Sequence, residues 1–422
     1  FDGTMTFNGL GTLNILPFAE GATTFTIAES AEVRFSDAGT WLYDAATPVT
    51  FGQPAATNDA LQIAANATLV LDGLMNFGTG ANQITLGRNA TFEVNQAWSA
   101  GIAAVNAAGV PVDATGKTES EVPAGTFVPL TAGGTVAIAM DHQSTLELNA
   151  DASATDGITL LGYYVPAAGA DPEVIGTYTI TGSGSIDANI GVSNAALAYK
   201  LNLGAGVGNV TFGSGADTLT ITADSEAGIV AFGTGADTLA LSGNLEADGL
   251  TYGGTLTVSG TGEVDIEAIT ISHALTTADT VSWKVDTFTV NNTTVTGKLV
   301  LTGGDNTLAL TNATLGTIDF GSGNDELAGT GTVGAVSAAD LTISGTITAG
   351  SNNITGTGIA TLVEGLNLTA SKASGFTNIV LDYTAGAAGI NLIDSNVSDW
   401  DELAELDNLD VIINSSDLAG GR

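Results

Sequence analysis

Two near-copies of one block, FGSGADTLTI at Phe212–Ile221 and FGTGADTLAL at Phe232–Leu241, decide the fold of this chain. Related blocks start at Phe77, Leu301 and Phe320. Each block joins a turn of Gly, Ser and Thr to a short strand in which apolar residues alternate with Thr or Ala. Such a strand–turn unit cannot bury its own apolar side chains, so it must stack on its neighbours. The spacing predicts an all-β fold, a parallel β-helix or β-solenoid with rungs of about 20 residues.

The chain divides into four predicted regions. Residues 1–95 form an N-terminal region of β-solenoid or β-strands, and residues 179–365, which contain no proline, form the regular solenoid. Residues 96–178 hold five of the eight prolines and predict a loop-rich insertion or small subdomain, because Pro cannot donate within a central ladder. Residues 366–422 form a C-terminal capping region, in which SDWDELAEL (398–406) predicts a short helix with a Ser N-cap.

Composition restricts the partners and the location. Among 422 residues, 45 are acidic and 8 are basic, which gives a net charge of −37 at pH 7. Such a surface repels nucleic acid and anionic membranes, so we expect neither as a partner. Cysteine is absent, which excludes disulfides and thiolate metal sites, and no apolar run is long enough for membrane insertion. The chain begins at Phe1 rather than Met, and we expect a mature extracellular or cell-surface form that has lost a secretion signal.

The repeated blocks contain the pattern G-x-G-x-D-x-L, with Asp217 and Asp237 at the acidic position. This pattern resembles the calcium-binding nonapeptide repeat of RTX proteins, G-G-x-G-x-D-x-U-x. The resemblance implies that turn carbonyls and Asp carboxylates from successive turns hold Ca²⁺. Phe212 and Phe232 replace the first Gly, and the copies recur at more than twice the spacing of a nonapeptide, so a continuous calcium-filled β-roll is not implied.

Electrostatics give calcium a separate argument. Parallel stacking would place Asp217 and Asp237 about 5 Å apart. Two ionised carboxylates at that distance repel by roughly 3 kcal/mol at an effective dielectric near 20, or by less than about 1 kcal/mol where solvent screens them. A bound Ca²⁺ would turn the repulsion into coordination, whereas solvated turn residues need no ion. The GSGNDE turn adds Asn324, Asp325 and Glu326, so these five residues are the candidate ligands and Ca²⁺ is the expected cofactor.

Catalytic signals are weak, so we expect a protein that is not an enzyme. His142 and His273 are the only histidines, and no hydrolase, phosphate-binding or zinc-protease motif accompanies them. The acidic, cysteine-free, Thr/Ala/Gly-rich texture resembles RTX-bearing surface-layer proteins and the passenger regions of autotransporter adhesins. That resemblance implies a secreted structural protein that self-assembles into a surface layer, sheath or filament. Two alternatives stay open: an adhesin that binds a cell-surface glycan through the loops of residues 96–178, and a β-helix enzyme that degrades polysaccharide with paired carboxylates.

Asn-Ala-Thr triplets recur at Asn66, Asn89 and Asn312. Side chains at matched positions of stacked strands can form ladders of hydrogen bonds. We therefore expect ladders of Asn and Thr side chains that run from rung to rung.

Overall fold

The structure is a computed structural model, and it describes most of the centre of the chain and separate strands near both ends. The described residues are 4–7, 25–27, 32–35, 39–43, 49–51, 60–63, 65–71, 75–77, 80–95, 98–100, 134–154, 158–162, 176–192, 194–363, 365–383, 391–392 and 410–415. These residues form parallel β-strands and contain no helix. The predicted all-β parallel solenoid is therefore confirmed. The predicted helix over 398–406 lies outside the described residues.

The chain separates into two compact units, Phe1–Ala231 and Phe232–Arg422, which we describe one at a time. The strands of unit 1 are Thr4–Phe7 (β1), Phe25–Ile27 (β2), Glu32–Phe35 (β3), Gly39–Tyr43 (β4), Val49–Phe51 (β5), Ala60–Ile63 (β6), Ala67–Leu71 (β7), Met75–Phe77 (β8), Gly80–Leu86 (β9), Thr91–Val94 (β10), Trp98–Ala100 (β11), Gly134–Met140 (β12), Ser144–Leu148 (β13), Ala152–Ala154 (β14), Ile158–Gly162 (β15), Gly176–Ile186 (β16), Ala188–Val192 (β17), Tyr199–Val207 (β18), Val210–Thr211 (β19), Thr218–Ile221 (β20) and Ser225–Ala231 (β21).

The strands of unit 2 are Ala236–Leu241 (β22), Leu245–Thr251 (β23), Thr255–Gly260 (β24), Glu263–Asp265 (β25), Ala268–Ile271 (β26), Leu275–Thr277 (β27), Ser282–Lys284 (β28), Thr287–Asn291 (β29), Thr294–Thr296 (β30), Leu299–Thr302 (β31), Thr307–Leu315 (β32), Ile318–Asp319 (β33), Asn324–Thr332 (β34), Val336–Ala338 (β35), Asp340–Ile343 (β36), Thr346–Gly356 (β37), Ile359–Val363 (β38), Asn367–Ser374 (β39), Asn378–Tyr383 (β40), Asn391–Leu392 (β41) and Asp410–Ser415 (β42).

Unit 1 stacks its strands into three parallel faces. Face A contains β1, β3, β6, β9, β12, β15, β17, β19 and β21. Face B contains β4, β7, β10, β13, β16, β18 and β20. Face C contains β2, β5, β8, β11, β14 and the end of β16. One strand on each face makes one turn of the chain, which is one rung.

Unit 2 repeats this three-faced arrangement. Face D contains β26, β29, β32, β34, β36, β38, β40 and β42. Face E contains β23, β25, β28, β31, β33, β35 and the end of β37. Face F contains β22, β24, β27, β30, the ends of β32 and β34, the start of β37, and then β39 and β41.

Rung length varies little in the middle of the chain and much more towards its N-terminus. Val210 pairs with Val230 and Leu308 pairs with Leu327, so these rungs have the length that the repeated blocks predict. Thr91 pairs with Thr145, so that rung is more than twice as long. Both proline-bearing pieces of the predicted insertion fall in residues 101–133 and 163–175, outside the described part. Between them, β12 to β15 lie in the ladders of all three faces, so this middle stretch of residues 96–178 belongs to the solenoid.

The core of each unit is a stack of apolar side chains from alternate strand positions. On face D the inward column Ile269, Phe288, Leu308 and Leu327 is at most 4 % exposed. Full burial of a side chain of this size contributes about 1.5–3 kcal/mol relative to exposure. Because each column continues through successive rungs, the unit is stabilised by neighbour-to-neighbour stacking rather than by one central cluster.

Candidate functional site: the glycine–aspartate turns

The first repeated block folds as a turn followed by β20, and its glycines lie against the rung before it. A Cβ at Gly213 would come within 2.2 Å of the carbonyl oxygen of Ala195, and one at Gly215 within 2.2 Å of that of Leu197. Neither contact is tolerable, so both positions require glycine because backbone stacks on backbone. At Gly323, in the last block, φ is 139°, and the left-handed backbone adds a second reason for glycine.

Asp217 points into the interior of unit 1 and not into solvent. It is 0 % exposed, and its Oδ1 accepts a hydrogen bond from the backbone N–H of Tyr199 at 2.8 Å. The neighbouring pair Lys200–Thr218 shows that this bond crosses to the preceding rung. The carboxylate therefore satisfies the donor at the start of β18, which a buried backbone requires.

Asp325 has the same role in unit 2. It is 1 % exposed, and its Oδ1 accepts hydrogen bonds from both the backbone N–H and the Nδ2 of Asn306, each at 3.0 Å. Its Oδ2 is buried without a hydrogen-bond partner. Asn306 is itself 2 % exposed and occupies the matching position of the block LTGGDNTLAL. Asp325 Oδ1 therefore accepts the hydrogen bonds from the preceding rung, whereas Oδ2 is buried away from water.

The desolvation sets the ionisation of Asp325. Burial raises the pKa of this carboxyl above its usual value, the two hydrogen bonds from Asn306 oppose the rise, and the negative charges of Asp305 and Asp340 add to it. A raised carboxyl pKa means that the fold favours the neutral form. The contribution of this group to stability is then highest at low pH and falls as pH rises through the folded-state pKa.

The other candidate ligands take different positions. Asp237 is 2 % exposed on β22, and its register partner in the next rung of face F is the apolar Leu256. Asn324 is exposed and donates from its backbone N–H and its Nδ2 to Asp305 Oδ1, at 2.8 and 3.3 Å. Glu326 is half-buried on β34.

These residues do not form a shared ligand set in the described structure. Within unit 2, Asp237 lies on β22 of face F, whereas Asn324, Asp325 and Glu326 lie at the start of β34 on face D. The part of the chain that is described contains no group of three or more His, Asp or Glu side chains placed to hold a metal. Ca²⁺ takes about six to eight oxygen ligands. Calcium at these turns stays a prediction, and any ion there would need carbonyl oxygens or water in addition to one carboxylate.

Exposed asparagines and aspartates have a role that the repeated motif does not indicate. Their Oδ1 atoms accept the backbone N–H of a residue one rung later in the chain. The pairs are Asn189 with Asn209 N, Asn209 with Ile229 N, Asn244 with Glu263 N, Asp279 with Lys298 N, and Asp305 with Asn324 N, at 2.7–3.3 Å. The signal in the sequence is an Asn or Asp about one rung before a strand begins.

The predicted ladders are confirmed for asparagine at two pairs of described residues. Asn89 donates from Nδ2 to Asn66 Oδ1 at 3.0 Å, and Asn312 donates to Asn292 Oδ1 at 3.3 Å. All four residues have left-handed backbone, with φ between 47° and 62°. Asn tolerates this conformation better than other residues with a Cβ, so the same side chain serves both the turn and the ladder.

The two histidines occupy structural positions. The Nδ1 of His142 accepts a hydrogen bond from the backbone N–H of Thr177 at 3.1 Å, which requires the neutral ring. Burial lowers the pKa of His142, Arg88 lowers it further, and Asp141 opposes both. His273 is exposed, and its ring centroid lies 6.1 Å from that of Tyr252. Burial raises the pKa of the Tyr252 hydroxyl, which donates to the carbonyl oxygen of His273 at 3.1 Å.

Comparisons with known families, with curated proteins and with solved structures found no match to this chain. Within the described residues, no helix has the length and apolarity that a membrane crossing requires.

Proposed function

We propose that this chain is a secreted structural protein, not an enzyme, that self-assembles into a surface layer, sheath or extracellular filament. The observation that supports this most is the one-sided pairing of the outermost strands. Among the described pairings, β1 pairs with β3 alone and β42 with β40 alone. An edge strand with unpaired N–H and C=O groups is a template for another chain, and head-to-tail addition would continue the ladder.

Charge supports this mode of growth. With a net charge of −37, copies repel one another along most of their surface. Addition through the ends brings two copies together over a small area, where main-chain hydrogen bonds offset the repulsion. Screening by salt reduces the repulsion, so assembly should increase with ionic strength.

The test uses two proline substitutions in the last strand, Ile412→Pro and Ile413→Pro. Backbone N–H groups of a strand point alternately to its two edges, so one substitution removes an N–H that faces β40 and the other removes one at the open edge. Light scattering after size exclusion measures the mass of each assembly. The open-edge variant should have a reduced mass and an unchanged melting temperature, and its neighbour should have a lowered melting temperature.

The mass of the unmodified chain, measured in the same way, can overturn the proposal. A stable monomer at every protein, salt and calcium concentration would contradict self-assembly. Equal masses for the unmodified chain and both proline variants would show that assembly does not use this edge.

A further inference from the structure

Part of face A of unit 1, over β12 to β21, presents ten outward residues without charge. Alternate residues of β12, β15, β17, β19 and β21 point outward there, together with the residue before β19. The ten outward residues, which we call the neutral face, are Ala137, Ala139, Thr159, Leu161, Asn189, Gly191, Asn209, Thr211, Ile229 and Ala231. None is acidic or basic, in a chain where 45 residues are acidic.

The neutral face also concentrates exposed apolar surface. Leu161 is 42 % exposed and Ile229 is 47 % exposed, and they are two of the three large apolar side chains exposed in the described residues. The residues around them are small, so the sheet surface is level. The outer side chains of two such sheet surfaces can interdigitate when the sheets pack face to face.

A comparison with face E of unit 2 shows that solenoid faces need not be neutral. There the outward positions hold Glu246, Glu263, Asp265 and Lys284, and the Lys284 Nζ lies 2.5 Å from Asp265 Oδ2. The neutral face is thus a local property of unit 1. The acidic residues nearest to it in sequence are Asp141, which follows β12, Asp187, which precedes β17, and Glu226, which is exposed at the start of β21.

We propose that the neutral face binds the neutral face of a second copy of this chain. Two copies that each carry a charge of −37 can approach most closely where neither has charge. A basic or cationic partner would instead be drawn to the acidic faces, which leaves an identical neutral face as the best-matched occupant. The inference is independent of growth through the strand edges.

The area of the face is sufficient for a specific dimer. The register continues onto β9 and β6, where the matching positions are Gln83 and Thr85, then Ala60 and Gln62, and ends at Glu32 and Arg34 of β3. The neutral face and its continuation on β9 and β6 together span seven strands, which at a spacing of about 4.8 Å and about five residues of about 3.3 Å each cover roughly 550 Å² per copy and about 1,100 Å² in total. Specific interfaces begin near about 1,000 Å² in total.

The geometry also limits the assembly. Contact between two identical faces is isologous and closes at the dimer, whereas contact between opposite strand edges is heterologous and continues without limit. Sedimentation velocity separates the two, because one produces a dimer and the other a series of larger species. The measurement is made on the full chain with the open edge blocked by proline, so that only the lateral contact remains.

Two double variants test the face. Asn189→Asp with Asn209→Asp adds two charges and keeps the Oδ1 atoms that accept the N–H groups of Asn209 and Ile229. Leu161→Ser with Ile229→Ser removes the exposed apolar area without adding charge. The matched control, Ala268→Asp with Thr270→Asp, adds the same charge at exposed positions of β26 in unit 2.

The edge-blocked chain should form dimers that strengthen with salt. The Asp pair should raise the dimer Kd at least tenfold, the Ser pair should also raise it, and the control should leave it unchanged. A monomer at all concentrations, or equal dimerisation by every variant, would overturn the inference. If the Asp pair fails to fold, which circular dichroism would reveal, the Ser pair decides the question alone.

Discussion

Two replacements of Asp325 separate the role of its carboxyl as a hydrogen-bond acceptor for Asn306 from the effect of its ionisation on stability. Asp325→Ala removes the acceptor of the buried backbone N–H of Asn306 and one of the two acceptors of its Nδ2, which also donates to the carbonyl oxygen of Gly304 at 2.6 Å. A buried donor left without a partner costs about 1–3 kcal/mol, so we expect the free energy of unfolding to fall by about 1–3 kcal/mol, because the backbone N–H loses its acceptor while the Nδ2 keeps its bond to Gly304. Asp325→Asn keeps an acceptor oxygen and cannot ionise.

The sign of the pH dependence follows from the raised pKa of Asp325. Below the ordinary Asp value, near about 3.9, the carboxyl is neutral in both folded and unfolded chains, and wild type and Asp325→Asn should have similar melting temperatures. As pH rises through the folded-state pKa, the wild type must bury a charge and should lose stability relative to Asp325→Asn. Circular dichroism measures both melting temperatures from acid to neutral pH. Because the other carboxyls are the same in both proteins, their effect on stability cancels in the difference.

The control is Glu226→Gln, which removes a charge at an exposed position of unit 1. A wild type that becomes more stable than Asp325→Asn as pH rises would refute the reasoning. That outcome would mean that the fold needs the charge, as it would if Oδ2 held a cation.

Three further predictions follow from the turns. Gly215→Ala, whose Cβ would meet the Leu197 carbonyl at 2.2 Å, should cost about 1–3 kcal/mol by overpacking, whereas Gly191→Ala, whose nearest contact is at 3.8 Å, should be nearly neutral in thermal melts. Asp217→Ala should destabilise by about 1–3 kcal/mol because the Tyr199 N–H loses its acceptor, and Asp217→Asn should destabilise less in urea titrations. If calcium binds the turns, a hundredfold excess over Kd raises the free energy of unfolding by about 2.7 kcal/mol per site. A chelator should then lower the melting temperature, and magnesium should restore it poorly. An unchanged melting curve in excess chelator would exclude calcium.

The solenoid could be predicted because the repeated blocks recur at the length of one rung. The spacing of Phe212 and Phe232 and the alternation after each turn require stacking, and the structure pairs Val210 with Val230 at that same spacing. The continuation of the solenoid through β12 to β15 was not predicted. Two long rungs interrupt the spacing there, and a pairing as distant in sequence as that of Thr91 with Thr145 leaves no local pattern.

The role of the motif aspartates could not be predicted from the motif. A Gly-x-Asp turn has the same sequence whether its carboxylate faces solvent or the interior, and the electrostatic argument assumed two solvent-facing or ion-bound carboxylates. The structure instead buries Asp217 and Asp325, each as an acceptor for a backbone donor of the preceding rung. What decides this is the register between rungs, which places Tyr199 and Asn306 opposite the two carboxylates.

Fibre diffraction from concentrated, aligned protein tests the proposed self-assembly most directly. Growth through the strand edges continues the ladder from copy to copy, so the spacing between strands, about 4.8 Å, should repeat along the fibre axis. A strong reflection at that spacing on the meridian, lost in the open-edge proline variant, is the predicted result. Protein that forms no ordered assembly, or a reflection at that spacing perpendicular to the fibre axis, would contradict the proposal.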